Sequence, residues 1–221
     1  MLGRRDRFWL LGALLVAAAC VRLGIWQLHR LSQRRARNAV TRSALARPPL
    51  ELLPQTPLES LPGRRVYAHG VYDYAHEQVW RPRSFEDEPG VDLITPLRLV
   101  DGRAVLVDRG FVSSPDAYTV DEGAYREPDS GDVIGLPYPA PRGPGDVDLA
   151  ALRTQLPYPL LGVVLQALPL EGAPLLPGVP RRWPPPALTD GPHLSYAIQW
   201  FSFAIIISVG SVALVRRPAR T

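Results

Sequence analysis

Four histidines, His29, His69, His76 and His193, are the residues best suited to metal or proton chemistry, and none forms a ligand pair at helical spacing. His69 and His76 flank an expected hairpin, where a solvated or sheet-surface role is the default. Glu86-Asp87-Glu88 with Asp92 has the charge to hold a hard cation, against the commoner reading of a solvated loop. The chain has no Gly-rich phosphate loop, nucleophile elbow or HExxH pattern. No set of nucleophile, base and orienting group emerges. Cys20 is the single cysteine, which excludes an internal disulfide and a cysteine metal cluster. It reads as a small buried apolar residue.

His193 differs by position, because it opens a long apolar run. On an α-helix, Tyr196, Ala197, Trp200, Phe203 and Ala204 fall on or near its face. An imidazole beside a flat apolar wall is what an axial haem site requires. The plainer reading is an interfacial polar residue in an aromatic belt.

The elements that must position these residues begin with two apolar runs. The first goes from Phe8 to Leu28, interrupted by Arg22 and bracketed by Trp9 and Trp26. Phe8 to Trp26 nearly meets the roughly 20 residues needed to cross the hydrocarbon core if Arg22 snorkels to the interface. A cleaved signal peptide is the rival, with Arg4, Arg5 and Arg7 before the run and Ala17-Ala18-Ala19 as the cleavage site. The apolar pattern continues past Cys20, which favours an uncleaved anchor. The second run, Leu194 to Val215, has no charge. Pro192 suits its first helical position, and Thr189 or Asp190 is a candidate cap. Arg216, Arg217 and Arg220 follow as a cytoplasmic flank. The first run gives the opposite signal, since Arg30, Arg34, Arg35, Arg37 and Arg42 follow it. The cleaner second run sets the expected orientation: both termini cytoplasmic and the middle outside, since long loops cross largely regardless of charge.

The middle holds most of the chain's 25 prolines and is expected to be strands, turns and loops. A polar helical extension from Arg30 to Arg47 stops at Pro48-Pro49, and a Pro-rich linker runs to Gly63. Strands are expected at Arg65–Tyr72, at Glu77–Arg81 as its partner, at Asp92–Leu99, at Ala104–Val112, at Asp132–Leu136 and at Gly162–Ala167. Asp101-Gly102 signals a hairpin turn. A short helix is expected over Asp148–Leu156, capped by Asp146 or Asp148. The fold expected is a membrane protein whose two transmembrane helices flank a mainly antiparallel β domain, a small barrel or sandwich with one short helix. Its parts are a first span over 8–28, an extension and linker over 29–62, the β domain over 63–170, a Pro-rich tether over 171–192, a second span over 193–215 and a basic tail over 216–221.

Apolar residues make up 46% of the 221, an ordinary share whose long runs lie at the two ends. Every basic residue is Arg, and the net charge of +4 sits largely beside the apolar runs. Lipid headgroups explain that placement better than nucleic acid does, and no basic stripe interleaves with aromatics.

Four motifs in order resemble the surfeit-locus family of cytochrome c oxidase assembly proteins. They are Gly24-Ile25-Trp26-Gln27-Leu28-His29-Arg30; Gly70-Val71-Tyr72-Asp73, followed by Pro89-Gly90 and Leu93-Ile94-Thr95-Pro96-Leu97; Val105-Leu106-Val107-Asp108-Arg109-Gly110-Phe111-Val112; and His193-Leu194-Ser195-Tyr196-Ala197-Ile198-Gln199-Trp200-Phe201-Ser202-Phe203-Ala204. The resemblance implies a non-catalytic factor of the cell inner membrane that assists delivery of haem a to the large oxidase subunit. It further implies the haem a biosynthetic machinery as a partner and His193 as a haem ligand. The family usually has Asn before that His, where this chain has Gly191-Pro192, and often Asn at the place of Asp108.

Beside the resemblance, the polar groups of these motifs have readings of their own. Arg109 suits a haem propionate through its planar fork, although ion pairing with a domain carboxylate is the commoner use. Trp26, Gln27 and Arg30 lie close to one helix face and are expected to dock against the second helix. Two other functions stand beside haem delivery. One is a scaffold that binds oxidase subunits without a cofactor; the other is a membrane-tethered enzyme using Asp73, His76 or Asp108 as acid or base.

Overall fold

The structure is a computed structural model that describes residues 4–139, 147–169 and 177–216, with the backbone alone at Arg5. The chain divides into two compact units, one of residues 1–42 and 187–221, the other of residues 43–186.

The first unit holds two long helices, α1 (Arg4–Ala46) up to Arg42 and the whole of α3 (His193–Val215). Both are long and apolar enough to cross a membrane. With about 1.5 Å of rise per residue, the 43 residues of α1 reach about 65 Å, roughly twice the hydrocarbon thickness. Arg22 does not break α1, which runs unbroken past Leu28 and ends just before Arg47-Pro48, where proline disfavours helical backbone. On α1 the buried positions are Ala17, Cys20, Gly24, Gln27 and Leu31, spaced by three or four residues along one stripe. Ala197 and Ala204 are the buried positions of α3, and Ala17 and Cys20 pack with Ala204. Small residues let the backbones approach, as is common where helices meet in lipid. Most large apolar side chains of both helices, among them Leu14, Leu15, Ile205, Ile206 and Val209, face outward and make an exposed apolar surface, the kind that marks contact with lipid or with another protein.

The start of α3 departs from expectation. Neither Thr189 nor Asp190 caps it: the residue before the first turn is Pro192, with no side-chain cap. Gly191, at φ +68°, turns the chain instead. The Thr189 carbonyl then accepts from Arg34 Nε and Asn38 Nδ2 of α1, each at 2.9 Å, and Asp190 pairs with Arg35 at 2.8 Å. Of the expected basic flank only Arg216 is described; Arg217 and Arg220 lie outside the described residues.

The second unit is a mixed seven-stranded sheet with one short helix. Its strands are β1 (Leu50–Glu51), β2 (Val66–Tyr72), β3 (Gln78–Phe85), β4 (Glu88–Leu99), β5 (Ala104–Ser113), β6 (Ser130–Pro139) and β7 (Leu160–Ala167); the helix is α2 (Leu149–Gln155). The order is β1-β2-β6-β7-β5-β4-β3, and β2 also pairs with β4. The ring β2-β6-β7-β5-β4 thus closes on itself as a small barrel, with β1 and β3 appended. Among the described residues β1–β2 and β5–β7 are the parallel pairings, and the other five are antiparallel.

Val66, Ala68, Leu97, Val105, Val107, Val133 and Leu165 fill the barrel interior. α2 covers part of the outer face, setting Leu152 and Leu156 on Ile94, Leu106 and Val164. β5 is therefore buried on both faces along nearly its whole length. Asp148 caps α2, its carboxylate accepting from the amides of Ala150 (2.9 Å) and Ala151 (3.1 Å). The alternative cap, Asp146, lies outside the described residues.

Three sequence expectations change here. The segment from Glu77 does not pair with β2: a 3-10 turn at Tyr74–His76 carries the chain away, and β3 pairs with β4. The expected linker contains β1, which extends the sheet beside β2. The 177–186 part of the expected tether is bound to the sheet. Arg181 bridges Phe111 with two 2.8 Å backbone hydrogen bonds, and Trp183 packs on Phe85 with ring centres 4.7 Å apart. The 171–176 part lies outside the described residues.

Candidate functional site

In the helix unit, the first turn of α3 brings His193 against Gln27 of α1, with Nδ1 2.9 Å from Oε1. With Oε1 as the acceptor, Nδ1 is the donor, and in the neutral ring Nε2 then carries the lone pair. Among the described residues Nε2 has no hydrogen-bond partner. Tyr196 is exposed one turn on, and half-buried Trp200 meets Phe203 edge to face at 5.9 Å. An imidazole with one nitrogen engaged, on a helix that carries Tyr196 and Trp200 in its next turns, has the donor chemistry of a haem-iron ligand.

Of the three expected docking residues, Gln27 is buried and meets α3 at His193. It is 9% exposed, whereas Trp26 is half exposed and carries Arg30 over its ring at 5.6 Å. A helix turns about 100° per residue, so the neighbours of a seam position flank the seam rather than enter it. Gln199 lies on the exposed side of α3.

In the β unit, Arg109 is wholly buried, and all its nitrogens are engaged by the domain itself. Nη2 donates to Glu77 Oε2 at 2.9 Å, Nε to the Thr95 hydroxyl at 2.9 Å, and Nη1 to the Tyr125 carbonyl (2.7 Å) and Glu127 Oε2 (3.1 Å). Thr95 also hydrogen-bonds Glu77, and Arg182 joins Glu127 to the Arg109 carbonyl. The guanidinium lies 4.9 Å from the Tyr74 ring centre and 5.9 Å from that of Tyr72. Burial holds Glu77 above the usual carboxylate range, against the pull of Arg109. Of the two readings of Arg109, ion pairing with domain carboxylates is the one present here: its fork holds two of them.

A β-bulge creates this placement. Leu93 pairs with Gly110 and Ile94 with Asp108, so Arg109 is the extra residue on β5. Val105, Val107 and Arg109 share the interior face. After the bulge the alternation shifts by one, so Val112 joins Val91 and Leu93 inside while Phe111 turns out to Trp183.

The outer face carries a second buried cluster. Asp92 accepts from Arg83 Nε at 2.6 Å and from Trp183 Nε1 at 3.0 Å. Asp108 accepts from the Gly110 amide at 3.0 Å and from the Tyr138 hydroxyl at 3.3 Å. Burial, and then the charge of Asp92, push the Asp108 carboxyl up to about 7. A cavity of about 270 Å³ opens between Trp80, Arg83, Asp108, Tyr138, Gln166 and Trp183.

The other candidates separate. Asp73 holds His76 at 2.9 Å and Tyr158 at 2.5 Å; burial works to raise its pKa, but these hydrogen bonds draw it below the usual carboxylate range. Asp108 belongs to the outer-face cluster and shares no hydrogen bond with that pair. His69 bonds Asp132 on the surface. Glu86 and Asp87, both at positive φ, form the tight turn between β3 and β4, while Asp92 is committed to Arg83. No group of three or more metal-ligating side chains occurs among the described residues.

Sequence reasoning did not find Glu77, Glu127, Arg182 or Trp183. Arg109 carried a signal, since it continues the inward alternation of Val105 and Val107, and the Gly after it marks a bulge. Its partners lie far off in the chain, Glu77 being 32 residues away, and carry no local mark.

Comparison with known proteins matches residues 14–205 to the model of the SURF1 family. An uncharacterized SURF1-like protein of Mycobacterium tuberculosis is 31% identical over 222 residues, covering 91% of this chain and 81% of that protein. A SURF1-like protein of Monosiga brevicollis is 33% identical over 108 residues, 43% of this chain and 41% of that protein. The Surfeit locus protein 1 of Takifugu rubripes is 34% identical over 117 residues, 45% of this chain and 48% of that protein.

Proposed function

The chain belongs to the SURF1 family, and from that premise we propose that it is an assembly factor for haem-copper cytochrome c oxidase. In this reading α1 and α3 cross the cell inner membrane, both termini are cytoplasmic and the β unit stands outside. Its partners are the large oxidase subunit, which receives haem a, the enzymes that make haem a, and the surrounding lipid. The chain is a carrier rather than an enzyme.

The observation that carries the reading is His193, at the head of α3, with Nδ1 engaged by Gln27 and Nε2 open. His193 would hold the iron of haem a through this nitrogen, and the bound group would supply a Lewis-acidic metal centre. Tyr196 and Trp200 give the aromatic wall on the same helix, and Gln27 orients the ring. Arg109 has no part in this, since it holds the β unit together.

The test is purification of the full chain in detergent from cells that make haem a. The expected result is a haem spectrum that is lost in His193→Ala, together with recovery of the large oxidase subunit. Absence of both haem and subunit would overturn the assembly role. Recovery of subunit without haem would replace the cofactor reading with a scaffold that binds oxidase subunits directly, a function for which the self-satisfied β unit is also suited.

A further inference from the structure

The seam between α1 and α3 is lined by Ala17, Cys20, Gly24, Ala197 and Ala204, and one buried amide interrupts it. Burying an amide without a partner is costly, so such a group persists where something answers it. Among the described residues the Gln27 side chain has a single hydrogen-bond partner, the His193 ring, 166 residues away.

We propose that Gln27 is the positioning residue of the His193 site: its carbonyl fixes the ring's tautomer and plane and leaves Nε2 as the coordinating atom. The coordination part rests on the haem reading above. With Gln27 Oε1 toward the ring, the opposite tautomer would set two lone pairs against each other at 2.9 Å, so this orientation of the amide goes with one proton position. The ring stands at the start of its helix without a side-chain cap, and its plane is set from the other helix. The ligand is therefore complete only while the helices are paired. The helices approach closely nearby, where a Cβ on Gly24 would meet the Phe201 ring at 2.7 Å. Metal-bound histidines commonly give their second ring N–H to such an outer partner, and its loss typically lowers affinity 10- to 100-fold.

The experiment compares the full chain with Gln27→Leu, Gln27→Glu and His193→Ala in detergent, by nitrogen-15 NMR of the histidines without ligand and by titration with haemin. The expected result is a Nδ1–H tautomer for His193 that Gln27→Leu converts to a mixture, with about 10- to 100-fold weaker haemin binding. Gln27→Glu keeps an acceptor, so it restores binding. It also lowers the reduction potential, because a carboxylate gives the imidazole more anionic character. An unchanged tautomer in Gln27→Leu overturns the proposal, as do equal haemin affinities and potentials across the Gln27 variants. If the full chain binds no haemin while Gln27→Leu still releases the tautomer, the cofactor reading fails and the positioning role of Gln27 stands. If Gln27→Leu does not fold, the potential of Gln27→Glu decides: a value equal to wild type overturns the proposal.

Discussion

The backbone carbonyl of Arg181 lies closer to Gly110 than any side chain at that position would permit. Gly110 also sits at φ +117°, which L residues rarely adopt. One glycine therefore lets β5 bulge and lets the 181–183 segment dock on it. Gly110→Ala is expected to destabilise the β unit by about 1–3 kcal/mol from backbone strain alone, and further through the clash. Urea unfolding followed by tryptophan fluorescence checks this, because Trp183 packs on Phe85 and Phe111. An unchanged midpoint would show that the bulge is not what fixes the segment.

Arg109→Met leaves Glu77 buried without its cation, while Glu127 keeps Arg182. Breaking one side of a buried ion pair costs about 3–5 kcal/mol, whereas replacing the whole set by apolar groups is often near neutral. Arg109→Met should therefore lose more stability than the double variant Glu77→Leu with Arg109→Met. Equal midpoints for the two would mean that the pair is not coupled.

The β unit should lose stability as pH rises from about 4 to about 7. The unfolded Asp108 titrates near the ordinary value of 3.8, while burial and Asp92 lift the folded group to about 7. The folded state thus holds a proton that the unfolded state has released, and this advantage, on the order of a few kcal/mol, vanishes as pH passes through the folded value. Asp108→Asn removes the titration and should flatten the unfolding midpoint between pH 5 and pH 8. A slope identical to wild type would refute the assignment.

Gly24→Leu should separate the two long helices by forcing the Phe201 ring aside. Cys20 packs with Ala204 across the seam, so an Ala204→Cys chain is expected to form an intramolecular disulfide under mild oxidation. Adding Gly24→Leu should reduce its yield. Equal yields on a reducing-sensitive gel would show that Gly24 does not set the approach.

Much of the architecture was legible in the residues because the signals are local. A charge-free apolar run, the Asp101-Gly102 turn, the Asp148 cap and the alternation of Val105 and Val107 each act within a few residues, through backbone sterics and the periodicity of side chains. The expected helices and most strands correspond to observed elements. Partner choice was another matter. Arg65–Tyr72 and Glu77–Arg81 read as a hairpin because they are neighbours in sequence, yet β2 pairs with β4 and β6 and leaves β3 to the hairpin turn at Glu86-Asp87. Pro-rich stretches read as linker and tether, yet β1 and the Arg181–Trp183 segment are sheet partners.

The sequence by itself determined that His193 heads an apolar helix beside aromatic residues, and that Arg109 follows an inward-facing alternation. Only the tertiary structure decided what each of them touches. Gln27 reaches His193 across 166 residues of chain, and Arg109 is neutralised by Glu77 and Glu127. The physical reason is that helix and strand preferences come from a residue's own backbone and its near neighbours. A buried imidazole, amide or guanidinium instead takes whichever distant group satisfies its hydrogen bonds where the packed elements meet.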